Sequence, residues 1–145
     1  MVPKILIIED QVAVPILIEH WVATHAAGKL EVVRAMKLST GIMLASECAV
    51  AILDLKLPDS PDHEETLKAI PNISAHCPVI ILTGYEEPVP PRDRKLLGEA
   101  VADWGADSCL FKDMVLVEGM SGIDLLMFFV QSALYRRAFQ NKTKT

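Results

Sequence analysis

Four unbroken apolar runs along the chain end on polar chemistry. Lys4-Ile5-Leu6-Ile7-Ile8 runs into Glu9-Asp10, Val50-Ala51-Ile52-Leu53 into Asp54, Val79-Ile80-Ile81-Leu82 into Thr83, and Ser108-Cys109-Leu110-Phe111 into Lys112. Runs of this length with no polar alternation predict strands buried on both faces of a parallel sheet. A further run, Leu30 to Ala35, is interrupted by Glu31 and Arg34 and predicts an edge strand. Helical periods lie between the runs. The first helix is expected from about Val12 to Ala27, with Pro15 tolerated only in its first turn and Gly28 placed to end it. Ser39 is expected to N-cap a short second helix reaching about Glu47. A third helix runs from Asp62 or Glu64 towards Ala69, stopped by Pro71, a fourth from about Asp93 to Trp104, ending at Gly105, and a fifth from about Gly122 to Phe139. This alternation of strands and helices predicts an α/β, doubly wound fold.

In a parallel sheet every strand presents its carboxyl end on the same edge. Glu9, Asp10, Asp54, Thr83 and Lys112 are therefore expected to converge there. Carboxylates forced together repel, and a divalent cation removes that penalty; hard oxygen ligands with room for water suit Mg2+.

This ordered set resembles the receiver domain of two-component response regulators. The match consists of an acid pair after the first strand and Asp54-Leu55-Lys56-Leu57-Pro58-Asp59 after the third. Thr83 follows the fourth strand and Lys112 the fifth. It covers the chain from Lys4 to about Arg137. The resemblance implies a five-stranded parallel sheet in the flavodoxin-like order 2-1-3-4-5, with helices on both faces and the first and third strands adjacent at the switch point. It implies that Asp54 accepts a phosphoryl group from a histidine kinase or phosphotransfer protein, in a phosphorelay rather than as an enzyme in its own right. Mg2+ would be held by Asp10, Asp54 and the backbone carbonyl of Lys56, with Glu9 acting chiefly through water. Lys112 would neutralise phosphoryl charge, and the Thr83 hydroxyl would contact the phosphoryl group only once it has arrived, shifting the neighbouring loop towards a downstream protein.

The chain departs from that family in places. Asp113 follows Lys112 where Pro is usual, so the lysine is expected on a differently shaped loop, and Cys109 occupies the position of the usual aromatic switch residue. Gly84 leaves room for a phosphoryl group, while Lys56 and Tyr85 stand at positions that influence its lifetime in the family. Two connections are long: the Pro-rich stretch 86–92, and 113–121 before the fifth helix.

The fifth helix carries two apolar stripes. Ile123, Leu126, Met127, Val130 and Leu134 form a core-facing one, and Leu125, Phe128, Phe129, Tyr135 and Phe139 lie opposite. In receivers the surface of the fourth helix, fifth strand and fifth helix is where dimers form and partners dock. The resemblance therefore implies a homodimer or partner interface using Leu125, Phe128, Phe129 and Tyr135.

The composition narrows the function classes. A chain of 145 residues, 51% hydrophobic, is expected to form one domain over 1–145. A net charge of −5 argues against nucleic acid as a partner. The basic end at 136–145 is expected to be a solvated tail. Three cysteines without Cys-x-x-Cys spacing indicate neither a disulfide framework nor a zinc site. No signal peptide or membrane span is evident, so no membrane partner is expected, and a soluble cytoplasmic protein is the plain expectation. His20, His25 and His76 are expected at or near the surface, and Asp59, Asp62 and His63 in a solvated loop. Two other functions fit less of the chain. A degenerate receiver would keep the fold as a phosphorylation-independent interaction or dimerisation module, as Cys109 and Asp113 suggest. A haloacid-dehalogenase-like phosphatase would need a second Asp two residues after the nucleophile, where Lys56 stands.

Overall fold

A computed structural model describes residues 2–84, 91–117 and 120–143, apart from the side chains of 117, 120, 121 and 140–143. Five strands, β1 (Lys4–Ile8), β2 (Glu31–Ala35), β3 (Val50–Leu53), β4 (Val79–Thr83) and β5 (Ala106–Phe111), pair in parallel in the order β2-β1-β3-β4-β5. This is the doubly wound 2-1-3-4-5 sheet that the apolar runs and the resemblance imply. Strand side chains alternate between faces. Ile5 and Ile7 enter one apolar core with Val50, Ile52, Ile80 and Leu82, whereas Leu6 and Ile8 enter the other with Ala51, Leu53, Val79 and Ile81. Burial on both faces explains why the three inner strands are almost wholly apolar. The broken run at Leu30–Ala35 reflects the exposed edge that β2 occupies.

Helices α1 (Ala13–His25) and α7 (Met120–Thr143) cover the first face. Pro15 falls in the first turn of α1, and Gly28 follows the helix with a φ of 76°, a left-handed geometry that favours glycine. The Trp21 indole N–H donates to Asp124 Oδ1 at 2.8 Å, joining the two helices.

The second face is covered by α2 (Leu38–Leu44), α3 (His63–Lys68), α4 (Ile70–Ser74) and α5 (Pro91–Ala102). Three expectations change here. Ser39 lies inside α2 and does not cap it; the Asp59 carboxylate accepts from the Leu38 and Ser39 amides at 2.7 and 3.0 Å. The expected third helix is α3, with its C-cap at Ala69 as expected, but Pro71 then sits in the first turn of a further short helix, α4, where its missing N–H costs nothing. Asp62 caps α3 by accepting from the Glu64 amide. Asp59 and Asp62 are thus helix caps rather than bystanders of a solvated loop.

The C-terminal third also differs from expectation. The connection after Lys112 contains a helix, α6 (Lys112–Val117), with Val115 fully buried. Residues 118–119 and most of the Pro-rich stretch, 85–90, lie outside the described residues. The basic end is helical rather than a tail through residue 143. Arg136 pairs with Asp107 at 2.6 Å, and Arg137 donates to the carbonyls of Cys48 and Ala49. Ile123, Leu126, Met127 and Val130 are buried as expected, while Phe128 and Tyr135 are 64% and 74% exposed. Phe129 departs from its expected stripe: it is half-buried, packs on the α1/α7 core and meets Phe128 edge-on.

Candidate functional site

The carboxyl ends of β1, β3, β4 and β5 bring the chemistry together. β1 and β3 are neighbours, with Ile8 opposite Leu53, so the acids that follow each strand meet. One carboxylate oxygen from each of Glu9, Asp10 and Asp54 lies within 4.8 Å of the other two. Glu9 and Asp54 are buried. The Lys112 ammonium sits between them, 2.8 Å from Glu9 Oε2 and 3.1 Å from Asp54 Oδ2. Lys112 is the first residue of α6 and follows β5 directly, so a strand-to-helix junction delivers it without the usual proline.

The electrostatics follow from this crowding. Burial pushes the Glu9 carboxyl up to about 7; a hydrogen bond from Lys112 pulls the other way and Asp54 adds to the rise. Burial alone would lower the Lys112 pKa. The hydrogen bond to Glu9 and the charges of Asp54 and Glu9 outweigh it, so the ammonium is held above its ordinary value. The lysine is therefore a fixed positive charge at the floor of the site.

A cavity of about 750 Å³ opens above these groups, lined by Asp10, Asp54, Lys56, His63, Gly84 and Lys112 among others. The Lys56 amide lies 3.5 Å from Asp54 Oδ1, which places the backbone two residues beyond the acid at the cavity wall. A Cβ added at Gly84 would meet only Lys112 Cδ, at 3.8 Å, so the glycine keeps space free rather than relieving a clash. Thr83 is fully buried, and its hydroxyl has no hydrogen-bond partner among the described residues. A buried hydroxyl with no partner is costly unless something arrives to accept from it.

Oxygen donors held this close fit a hard divalent cation. The residues able to hold one are Asp10 and Asp54, with Glu9 behind them and the Lys56 backbone beside them. Glu9, Asp10, Asp54 and Lys112 meet at this edge, and Thr83 is the last residue of β4. Tyr85 lies outside the described residues. Two residues of this region carry no site role in the sequence analysis, one of them His63, which is placed there in a solvated loop. His63 lines the cavity because α3 starts at the rim, and the cap Asp62 immediately before it was the available signal. Phe111 pairs in register with Thr83 and packs on the α2–α5 core beside Cys109.

No protein-family model and no curated protein matches the chain. Solved structures do. The signal receiver domain of a LuxO repressor protein from Vibrio parahaemolyticus superposes with a TM-score of 0.74 at 23% identity, covering 100% of this chain and 99% of that one. A CheY-like response regulator receiver domain protein from Methanospirillum hungatei gives 0.69 at 20% identity, over 97% and 99%. This chain has the receiver-domain fold. Within the receiver fold, NtrX from Brucella abortus aligns at a TM-score of 0.71 and 18% identity over 99% of this chain but only 29% of its own length. The same fold can thus stand as part of a much longer protein. Among the described residues, no helix is long and apolar enough to cross a membrane.

Proposed function

We propose that this protein is the phosphoacceptor of a two-component phosphorelay and that Asp54 takes the phosphoryl group. The carrying observation is the placement of Lys112 between Glu9 and Asp54, beside Asp10 and under an open cavity. Asp54 attacks phosphorus with a carboxylate oxygen. The phosphorus–nitrogen bond to a donor histidine breaks, and its electron pair returns to the imidazole. Lys112 neutralises charge on the transferring oxygens, and Thr83 donates its hydroxyl to one of them after transfer. Asp10, Asp54 and the Lys56 carbonyl would hold Mg2+, with Glu9 reaching it through water; the ion supplies charge neutralisation and alignment. Chemistry of this kind asks the protein for positioning, which suits a receptor of phosphoryl groups better than a turnover enzyme.

A histidine kinase or phosphotransfer protein is the donor in this proposal, and a downstream protein reads the result. The surface of α5, β5 and α7, with Leu125, Phe128 and Tyr135 outermost, is the proposed contact for that protein or for a second copy. Phe129 supports Phe128 from beneath. Cys109 and Asp113 favour one competing function, a module that uses the same surface without phosphorylation.

Acetyl phosphate with Mg2+ separates the two. Intact mass should show one phosphoryl adduct on the wild type and none on Asp54→Ala or without Mg2+. A folded wild type that binds Mg2+ but takes no adduct would favour the phosphorylation-independent module.

A further inference from the structure

Among the side chains lining the cavity above Asp54 is an imidazole to which the proposed transfer gives no role. His63 is half-buried at the start of α3 and lines the same space as Asp54, Lys56 and Lys112. Its backbone is held firmly. Asp62 caps the helix through the Glu64 amide at 2.8 Å. The Ser60 and Thr66 hydroxyls bond each other at 2.7 Å in a buried contact, and Leu57 and Ser60 close the preceding turn through paired backbone bonds. Glu64, next to His63, is tied to Lys68 and to Arg92 of α5. The imidazole is thus carried on a braced helix start rather than a loose loop.

We infer that His63 is a catalytic residue for hydrolysis of the aspartyl phosphate and so sets how long the signal lasts. This rests on Asp54 being phosphorylated as proposed above. Asp54 is buried at the strand end, so its leaving oxygen lies on the closed side of the phosphorus and water must approach from the open side. His63 lines the cavity that opens there. Among the described lining residues, Lys56 and Lys112 are cations that donate protons, Gln11 is an amide, and Asp10 belongs to the proposed cation site. An imidazole is the side chain suited to accepting a proton near neutrality. In the step, a water oxygen bonds to phosphorus and its proton passes to His63. The phosphorus–oxygen bond to Asp54 breaks, and its electron pair restores the carboxylate. Inorganic phosphate leaves, and the imidazolium returns its proton to solvent.

The test uses the wild type, His63→Ala and His63→Gln. Each is loaded with acetyl phosphate and Mg2+, freed of donor by desalting, and followed by intact mass. The adduct on both variants should outlast that on the wild type by about a hundredfold or more, the low side of what a positioned base contributes. Glutamine can orient water but cannot take its proton at neutral pH, so wild-type decay in His63→Gln overturns the proton-accepting role. Unchanged decay in both variants overturns the inference while leaving the phosphoacceptor function standing. A folded wild type that never forms the adduct overturns both.

Discussion

Thr83 and Phe111 stand opposite each other as the last residues of the adjacent strands β4 and β5. An aromatic ring therefore flanks the threonine even though Cys109 replaces the usual one. The Thr83 hydroxyl is buried without a partner among the described residues, so replacing it with a methyl group should not weaken the unmodified protein. Thr83→Val is expected to be as stable as wild type or up to about 1 kcal/mol more stable. The phosphorylated form should lose in the variant whatever stability the hydroxyl contact gives the wild type. Urea midpoints of both proteins, with and without the adduct, check the opposite signs.

Lys112 offsets the repulsion between Glu9 and Asp54. Lys112→Met should destabilise the metal-free protein by roughly 3 kcal/mol, since it leaves two buried acids without their counter-charge. Mg2+ should then raise the melting temperature of the variant more than that of the wild type. Equal Mg2+ effects on the two proteins would contradict a shared neutralising role.

Asp59 caps α2 from across the fold, and hydrogen bonds, above all from the Ser39 amide, hold its pKa below the ordinary 3.8. Asp59→Ala should cost about 1 kcal/mol at neutral pH, as loss of a cap usually does. The group is more acidic when folded, so its contribution is present above the unfolded-state pKa and disappears as pH falls through the folded value. The stability gap between wild type and variant should accordingly close below about pH 4. Chemical denaturation at neutral and acid pH measures it.

Gly122 lets α7 cross α6 at backbone distance. A Cβ there would lie 2.4 Å from the Met114 carbonyl oxygen and 2.5 Å from that of Val115. Backbone atoms cannot swing aside as a side-chain tip can. Gly122→Ala should cost roughly 2 kcal/mol or more despite its better helix propensity. Thermal unfolding with Gly98→Ala as control separates the effects, because nothing lies within 4 Å of a Cβ at Gly98.

Phe128, exposed on α7, tests the proposed contact surface. If a second copy uses it, wild type should sediment as a dimer at high concentration and Phe128→Asp as a monomer. Identical masses for the two proteins would remove the homodimer from the proposal.

Much of the fold was legible because strands buried on both faces leave an unambiguous mark. Each inner strand is a block of apolar residues stopped by the polar group it delivers to the edge. Long-range partners were less legible. The amide-capping role of Asp59 depends on a contact between residues about twenty apart in sequence, and Ser39 had the better local credentials. Helix α6 was missed because its apolar residues, Met114 to Val117, form too short a run to show a period. Phe129 was assigned to the wrong stripe because helical spacing fixes an angle around the axis but not how far a neighbouring core reaches.

The Trp21–Asp124 bond joins residues 103 positions apart and has a consequence for a nascent chain. The face built on Leu6, Ile8 and Leu53 receives its covering from helices ending at Ala102. The face built on Ile5, Ile7 and Val50 waits for α7, which follows all five strands in the chain. While the ribosome is still making that helix, one side of the sheet has only α1 and Val115 of α6 to shelter it. A stop codon just upstream of α7 would therefore leave a single face half clad and the other fully clothed.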